Sequence, residues 1–246
     1  MSSLQSLALK APFVVLFFAA LVFPVLFVIS APYGRHARAG FGPSMPAKLG
    51  WLIMESPSFF LFGSLWLLNP AFGSPLVTVL GAAWLLHYGQ RTFVFSLLMR
   101  DENRQQPVMT VVMAIAFNVL NASGNAVSLT ARPLDLPFWL GLGLFALGFT
   151  INLHADHVLR TLRQPGETGY KVPHGGLYGW ISSPNYFGEL VEWTGFALAA
   201  QTTASWAFVA FAFANLAPRA VANHRWYLQK FPGYPARRRA LIPFVW

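Results

Sequence analysis

The stretch LPFWLGLGLFALGFTINLHADHVL, residues 136–159, changes character halfway along. Its first half is almost wholly apolar, whereas its second half carries Asn152, His154, Asp156 and His157. A helix needs about 20 residues to cross the roughly 30 Å hydrocarbon core of a bilayer, and this run is long enough. Ionisable groups at membrane depth are costly and are kept where they face a cavity or one another. The stretch therefore reads as a membrane helix with one polar end. Composition agrees: of 246 residues, only 10% are charged, against roughly 25% in a soluble domain. Composition argues against a water-soluble fold on that ground. The absence of cysteine removes disulfides, thiolate metal sites and cysteine nucleophiles.

Working outward, comparable apolar runs cover about 7–29, 49–68, 76–99, 107–129, 186–200 and 205–227. The expected fold is all-α: one domain, 1–246, of a polytopic integral membrane protein with about seven transmembrane helices. The run 76–99 is interrupted by His87, Gln90 and Arg91, which points to a polar interior. The first run exceeds the about 7–15-residue core of a cleaved signal and contains Pro12 and Pro24, so it is read as a span. Arg35, Arg38 and Lys48 follow the first span, Arg100 and Arg104 the third, and Arg160, Arg163 and Lys171 the fifth. Arg219, Arg225, Lys230, Arg237, Arg238 and Arg239 end or follow the seventh, and Arg132 is the main exception. Basic loops face the cytoplasm, so the N-terminus is expected outside and the C-terminus inside. The same asymmetry accounts for the +9 net charge without nucleic acid.

Of the eight acidic residues, Glu55, Asp156, Glu189 and Glu192 fall in or at the edge of spans. Asn152 and Asp156 are four apart, as are Asn185 and Glu189, and Arg219, Asn223 and Tyr227 continue at that interval. Residues so spaced share a helix face. Together these faces would line a cavity suited to a polar anionic ligand such as a dinucleotide, arginine meeting phosphate and amides or carboxylates meeting ribose. The competing reading is that the acids and bases pair with one another to hold the helices together. The polar segment 160–184, with Tyr170, Lys171, His174, Tyr178 and Trp180, is long for a connection without structure of its own and points to function.

A Rossmann unit is excluded, because Gly141, Gly143 and Gly148 lie inside an apolar span and follow no strand. They are expected to let helices approach closely. His154 and His157 lack further ligands in a metal-binding arrangement, so no metal is expected. The sequon at Asn121 is read as chance. Glu55 stands among Trp51, Leu52, Ile53, Met54 and Phe59 and is expected to be neutral or closely hydrogen-bonded. With Tyr88 beside it, the pair would polarise a ketone oxygen.

GYKVPHGGLYGWISSPNYFGELVEW, residues 169–193, resembles the C-terminal signature of the steroid 5-alpha-reductases. INLHADHVLRTLRQPGE (151–167), LHYGQRTFVFSLL (86–98), ESPSF (55–59) and YPARRRALIPF (234–244) match the same family in the same order. The resemblance implies a seven-helix membrane fold holding NADPH, mainly through 151–246, and reducing the double bond of a 3-oxo-4-ene steroid. The implied cofactor contacts are Asn152, Asp156, Arg163, Tyr170, Asn185, Glu189, Arg219 and Tyr227, with Tyr33, Lys171, His224 and Arg238 as further ones. The implied ketone-binding pair is Glu55 and Tyr88, and Trp51, Phe59 and Phe211 are expected to line the path of a steroid entering from membrane lipid. Met54, Asn223 and Met99 depart from the family's more usual Gln, His and Asn.

The composition suggests a bacterial homologue, which would imply the inner membrane; a eukaryotic source would imply the endoplasmic reticulum. Alternatives from the same residues are a reductase of another enone, an enoyl-CoA or a sterol double bond, and an S-adenosylmethionine-dependent methyltransferase. A transporter or lipid-binding scaffold would explain the buried acids but not the aromatic loop. Oligomeric state is not legible.

Overall fold

The computed structural model describes residues 3–32, 34–99, 104–164, 167 and 169–246. Among them are seven α-helices: α1 (Ser3–Val28), α2 (Ala47–Leu67), α3 (Pro75–Gly89), α4 (Val108–Ser128), α5 (Leu136–Thr161), α6 (Pro184–Ala200) and α7 (Thr203–Lys230). Each coincides with a predicted apolar run. Four have the length and apolarity to cross a membrane: α1, over Leu9–Val28, together with α4, α5 and α7. The other three differ for visible reasons. Helix α2 carries Lys48, Glu55 and Pro57, and α3 and α6 have only 15 and 17 residues. Helix α3 runs on into a π-helical segment, Gln90–Phe95, which extends the helical path beyond what its α portion covers. Outward-facing Phe13, Phe17, Val28, Trp139, Leu140 and Leu147 are exposed on α1 and α5, as lipid contact requires and water would penalise.

The ends are set locally. Asp135 caps α5 by accepting a bond from the Phe138 N–H at 3.0 Å. Thr202 and Ser205 form a reciprocal capping box at the start of α7. Arg132, the exception to the charge asymmetry, pairs with Asp135 and donates to the Ala199 carbonyl at 2.7 Å. Its cation thus meets the negative end of α6. A short antiparallel ladder, β1 (Ser44–Pro46) with β2 (Gln105–Pro107), ties together the chain entering α2 and α4. Those two helices then pack along their lengths.

Helices α5 and α6 approach each other main chain to main chain. Gly141 and Gly148 of α5 meet Gly195 and Gly188 of α6 so tightly that a Cβ on any of the four would strike the backbone of the facing helix. Gly143, expected to join this contact, faces open space; two residues from Gly141, it points off the shared face. Beside this pair lies an aromatic core of Phe62, Trp84, Tyr88, Trp193, Phe196 and Phe208, with Phe62 stacked on Trp84 at 4.5 Å.

Candidate active site

Glu55 projects from the middle of α2 toward α4. Asn118 of α4 donates through Nδ2 to the Met54 carbonyl at 2.6 Å and to Glu55 Oε2 at 3.3 Å. A carboxyl in an apolar helix thus finds a hydrogen-bonding partner, as the cost of leaving it bare demands. Pro57 begins the next turn, which leaves the carbonyl of residue 53 without its helical donor; Ser56 Oγ donates to that Ile53 carbonyl at 2.8 Å. Met54 is buried, and the Gln106 amide lies 3.9 Å from its sulfur.

Tyr88, near the end of α3, is buried against Trp84 at 5.0 Å and Trp193 at 5.7 Å between ring centres. Glu55 and Tyr88 lie within electrostatic reach of each other, and both feel Glu189. The π-helical segment that follows turns Arg91 back into the protein. Its guanidinium lies 4.6 Å from the Trp51 ring and 4.4 Å from that of Phe95, and it reaches Asp156 Oδ2 at 3.3 Å. A π segment widens the turn and redirects the residues after it, which is why such segments gather at functional sites.

Across this interior, Asn185 Nδ2 donates to Asp156 Oδ1 at 3.1 Å and Asn152 Nδ2 donates to the Asn185 carbonyl at 3.0 Å. The two stripes expected on α5 and α6 therefore face each other, held together by the glycine contact one turn away. Glu189 is the shared electrostatic neighbour of Glu55, His87, Arg91, Asp156 and Glu192. Deeper in, His87 Nδ1 and Glu192 Oε1 are joined at 2.7 Å, and both residues are buried.

A second group forms where the loops before α2 and after α5 and α7 meet. The Arg35 guanidinium packs on Tyr227 at 4.5 Å, Trp226 at 5.1 Å and Tyr170 at 5.9 Å. Tyr227 stacks on Tyr234 at 5.1 Å. Arg238 lies over the other side of this group, 5.0 Å from the Tyr234 ring and 3.3 Å from His174 Nδ1. Arg35 Nη1 and Arg238 Nε and Nη1 are buried with no hydrogen-bond partner among the described residues. Ser182 Oγ bonds both His224 Nδ1 at 2.6 Å and the Tyr234 hydroxyl at 2.7 Å. Arg219 donates to the Tyr186 hydroxyl at 3.0 Å, and His36 meets Asn223 Oδ1 at 3.1 Å. Burial lowers the His36 pKa from its usual value, and Arg35, Arg219 and Arg38 lower it further against the opposing Asn223 bond. Burial also holds the Tyr178 hydroxyl well above the usual phenol range.

Asn152, Asp156 and Asn185 thus come together with Arg91, which packs on Trp51 one turn from Glu55 and lies three residues beyond Tyr88, while Tyr170, Arg219, His224, Tyr227 and Arg238 gather at the loop end. Arg163 reaches the Gly169 carbonyl at 3.2 Å. Lys171 pairs with exposed Glu167 at 2.6 Å on the loop surface. Tyr33 and Arg100 lie outside the described residues. Trp51 borders Arg91, whereas Phe211 is stacked on Phe117 at 3.7 Å, next along α4 to Asn118. His154 packs at Gly176 and His157 bonds Arg160; Asn121 of the sequon is buried in α4.

Sequence reasoning singles out Arg91 and Arg35 only as charges, assigns neither of them nor Asn118 to the site, and does not pair His87 with Glu192. One signal was present: Asn118, Asn121 and Asn125 sit three and four apart in an apolar helix, the spacing of a polar face.

Residues 104–246 match the family model described as 3-oxo-5-alpha-steroid 4-dehydrogenase. Over 222 residues, 87% of this chain and 84% of the relative, the chain is 41% identical to 3-oxo-5-alpha-steroid 4-dehydrogenase 1 of Macaca fascicularis. It is 40% identical to the Homo sapiens protein of that name over 87% of this chain and 85% of the relative. Against steroid 5-alpha-reductase DET2 of Solanum lycopersicum it is 39% identical, over 95% of this chain and 96% of the relative. With its membrane-length helices and its buried polar interior, this chain is a membrane oxidoreductase that belongs to the 3-oxo-5-alpha-steroid 4-dehydrogenase family.

Proposed function

We propose that the chain crosses the membrane seven times, N-terminus outside and C-terminus cytoplasmic, and uses NADPH to reduce the C4–C5 double bond of a 3-oxo-4-ene steroid. The observation that carries this reading is the convergence of Asn152, Asp156, Asn185 and Arg91 on one interior, beside Glu55 and Tyr88. The protein also fits the cofactor at its loop end. Guanidinium nitrogens buried without a hydrogen-bond partner among the described residues, Nη1 of Arg35 and Nε and Nη1 of Arg238, suit the phosphates of a dinucleotide, because a buried N–H left unpaired is costly until an acceptor meets it.

When bound, NADPH would supply the hydride for the beta carbon of the enone, and the alpha carbon takes the balancing proton, which comes ultimately from solvent. Glu55, in its neutral form, and Tyr88 hydrogen-bond the ketone oxygen and stabilise the negative charge that develops there. Asn118 keeps the Glu55 carboxyl turned to its place. Asn152, Asp156, Asn185 and Glu189 hold amide and ribose groups. Arg163, Lys171, Arg219 and Arg238 meet phosphate, and Tyr33, Tyr170, Tyr227 and His224 enclose the remainder. Trp51 and Phe211 line the way in for the steroid, and the apolar surround excludes water from the reacting atoms.

Purified protein is expected to oxidise NADPH only when a 3-oxo-4-ene steroid is present, yielding the product reduced at C4–C5 as identified by mass spectrometry. Oxidation only with another enone or an enoyl-CoA would move the substrate assignment; no oxidation with any of them would end it. For the cofactor contacts, Asn185→Ala removes an amide that would meet the cofactor, and it also frees Asp156 from the bond that orients it; a hydrogen bond to a charged group is worth about 1.5–3 kcal/mol. Titration with NADP+ should show affinity weakened on the order of 10-fold or more, by the usual conversion of about 1.4 kcal/mol per factor of ten. Arg163→Ala should weaken it as well. Unchanged affinity in both variants counts against the site.

A further inference from the structure

His87 and Glu192 form a buried bond of 2.7 Å in the aromatic core. For stability alone this is a poor arrangement, since an apolar pair of similar volume is as good or better at such a place. What distinguishes the pair is where it sits. His87 directly precedes Tyr88 on α3, and Glu192 lies three residues beyond Glu189 and seven beyond Asn185 on α6. Its bond joins the helix bearing the ketone donor to the helix bearing the expected cofactor contacts. The His87 ring also packs on Tyr88 at 5.0 Å and on Trp193 at 4.5 Å, and Trp193 in turn packs on Tyr88.

The π-helical segment starts at Gln90, just past Tyr88. A π segment shifts the angular register of every residue after it, so the rotation of α3 needs fixing on both sides of the change. Arg91 with Asp156 fixes it after the change begins, and His87 with Glu192 fixes it before. Tyr88 stands between the two ties.

We infer that His87 and Glu192 are positioning residues: their bond sets the rotation of α3 against α6 and so places the Tyr88 hydroxyl relative to the cofactor. This rests on the role proposed for Tyr88. Misplacement of a reacting group by about 1 Å can cost on the order of 100-fold in rate. His87→Gln and Glu192→Gln should therefore lower kcat about 10- to 100-fold. The Kd of NADP+ and the KM of the steroid should stay within about 3-fold, because no substrate contact is lost.

The decisive measurement is a double-mutant cycle with Tyr88→Phe. If the pair acts through Tyr88, adding His87→Gln to Tyr88→Phe costs nothing further, since effects in one unit are not additive. Independent, additive losses overturn the inference, as does wild-type kcat in both single variants. Glu192→Gln keeps volume and a hydrogen-bonding side chain. If neither it nor His87→Gln gives protein that melts cooperatively and binds NADP+, the pair is a fold-holding bond and the inference is equally overturned. Full turnover in Tyr88→Phe alone is the separate outcome that removes the role of Tyr88 itself, and the inference with it.

Discussion

Glu55→Gln or Tyr88→Phe is expected to reduce turnover about 100- to 1,000-fold, the usual effect of removing one donor from a developing oxyanion. Each change is nearly isosteric, so the surrounding helices keep their packing. Gln at position 55 can still take the Asn118 bond in place of the carboxyl that Asn118 meets at 3.3 Å. What it offers the ketone is a weaker donor than a neutral carboxylic acid. Phe at position 88 keeps the ring contacts with Trp84, His87 and Trp193 and loses only the hydroxyl. The NADP+ affinity should stay near wild type, because the expected contacts for the cofactor lie on α5, α6, α7 and the loops. Steady-state kcat and equilibrium cofactor titration separate the two effects. Full activity in both variants would remove the proposed chemistry.

Gly148→Leu is expected to abolish folding, and Gly148→Ala to lower the melting temperature and weaken cofactor binding together. A Cβ at this position would fall on the backbone of Glu192 and Gly188. No rotamer change relieves a clash with backbone, so the helices must part. Overpacking of this kind costs about 1–3 kcal/mol or more, out of a total stability of about 5–15 kcal/mol. The separation also acts one turn away, where the Asn152 amide must reach the Asn185 carbonyl at 3.0 Å and Asn185 must reach Asp156 at 3.1 Å. Gly143→Ala is the matched comparison, since nothing lies within 4 Å of a Cβ there. Equal melting curves for Gly143→Ala and Gly148→Ala, in detergent or nanodiscs, would show that the close contact does not hold the site together.

The helices were legible because each is a long apolar run, and the polar stripes because Asn152 and Asp156, or Asn185 and Glu189, repeat at a helical interval. Periodicity fixes a face but not what it faces. That His87 meets Glu192, 105 residues on, follows from the packing of α3 against α6, which no local pattern encodes. Arg91 was visible as a charge in an apolar run, yet its direction depends on a π-helical turn that has no strong sequence mark. Gly143 looked like its neighbours Gly141 and Gly148, and only the angle around α5 separates it from them. Met54 stands out along α2 as a departure from the resemblance, yet the hydrogen bond to Glu55 comes from Asn118 of α4, a place that a comparison along α2 alone does not reach.

The glycine contact between α5 and α6 also divides the protein by how freely it can change. Where main chain rests on main chain there is no side chain to exchange, so the half expected to grip the shared coenzyme tolerates little drift. Helices α2 and α4 meet instead through interchangeable side chains, such as Trp51 and Met54 with Val111. On the proposed function, replacements on α2 and α4 away from Glu55 and Asn118 are expected to alter the substrate path while leaving the main-chain contact of α5 with α6 as it is.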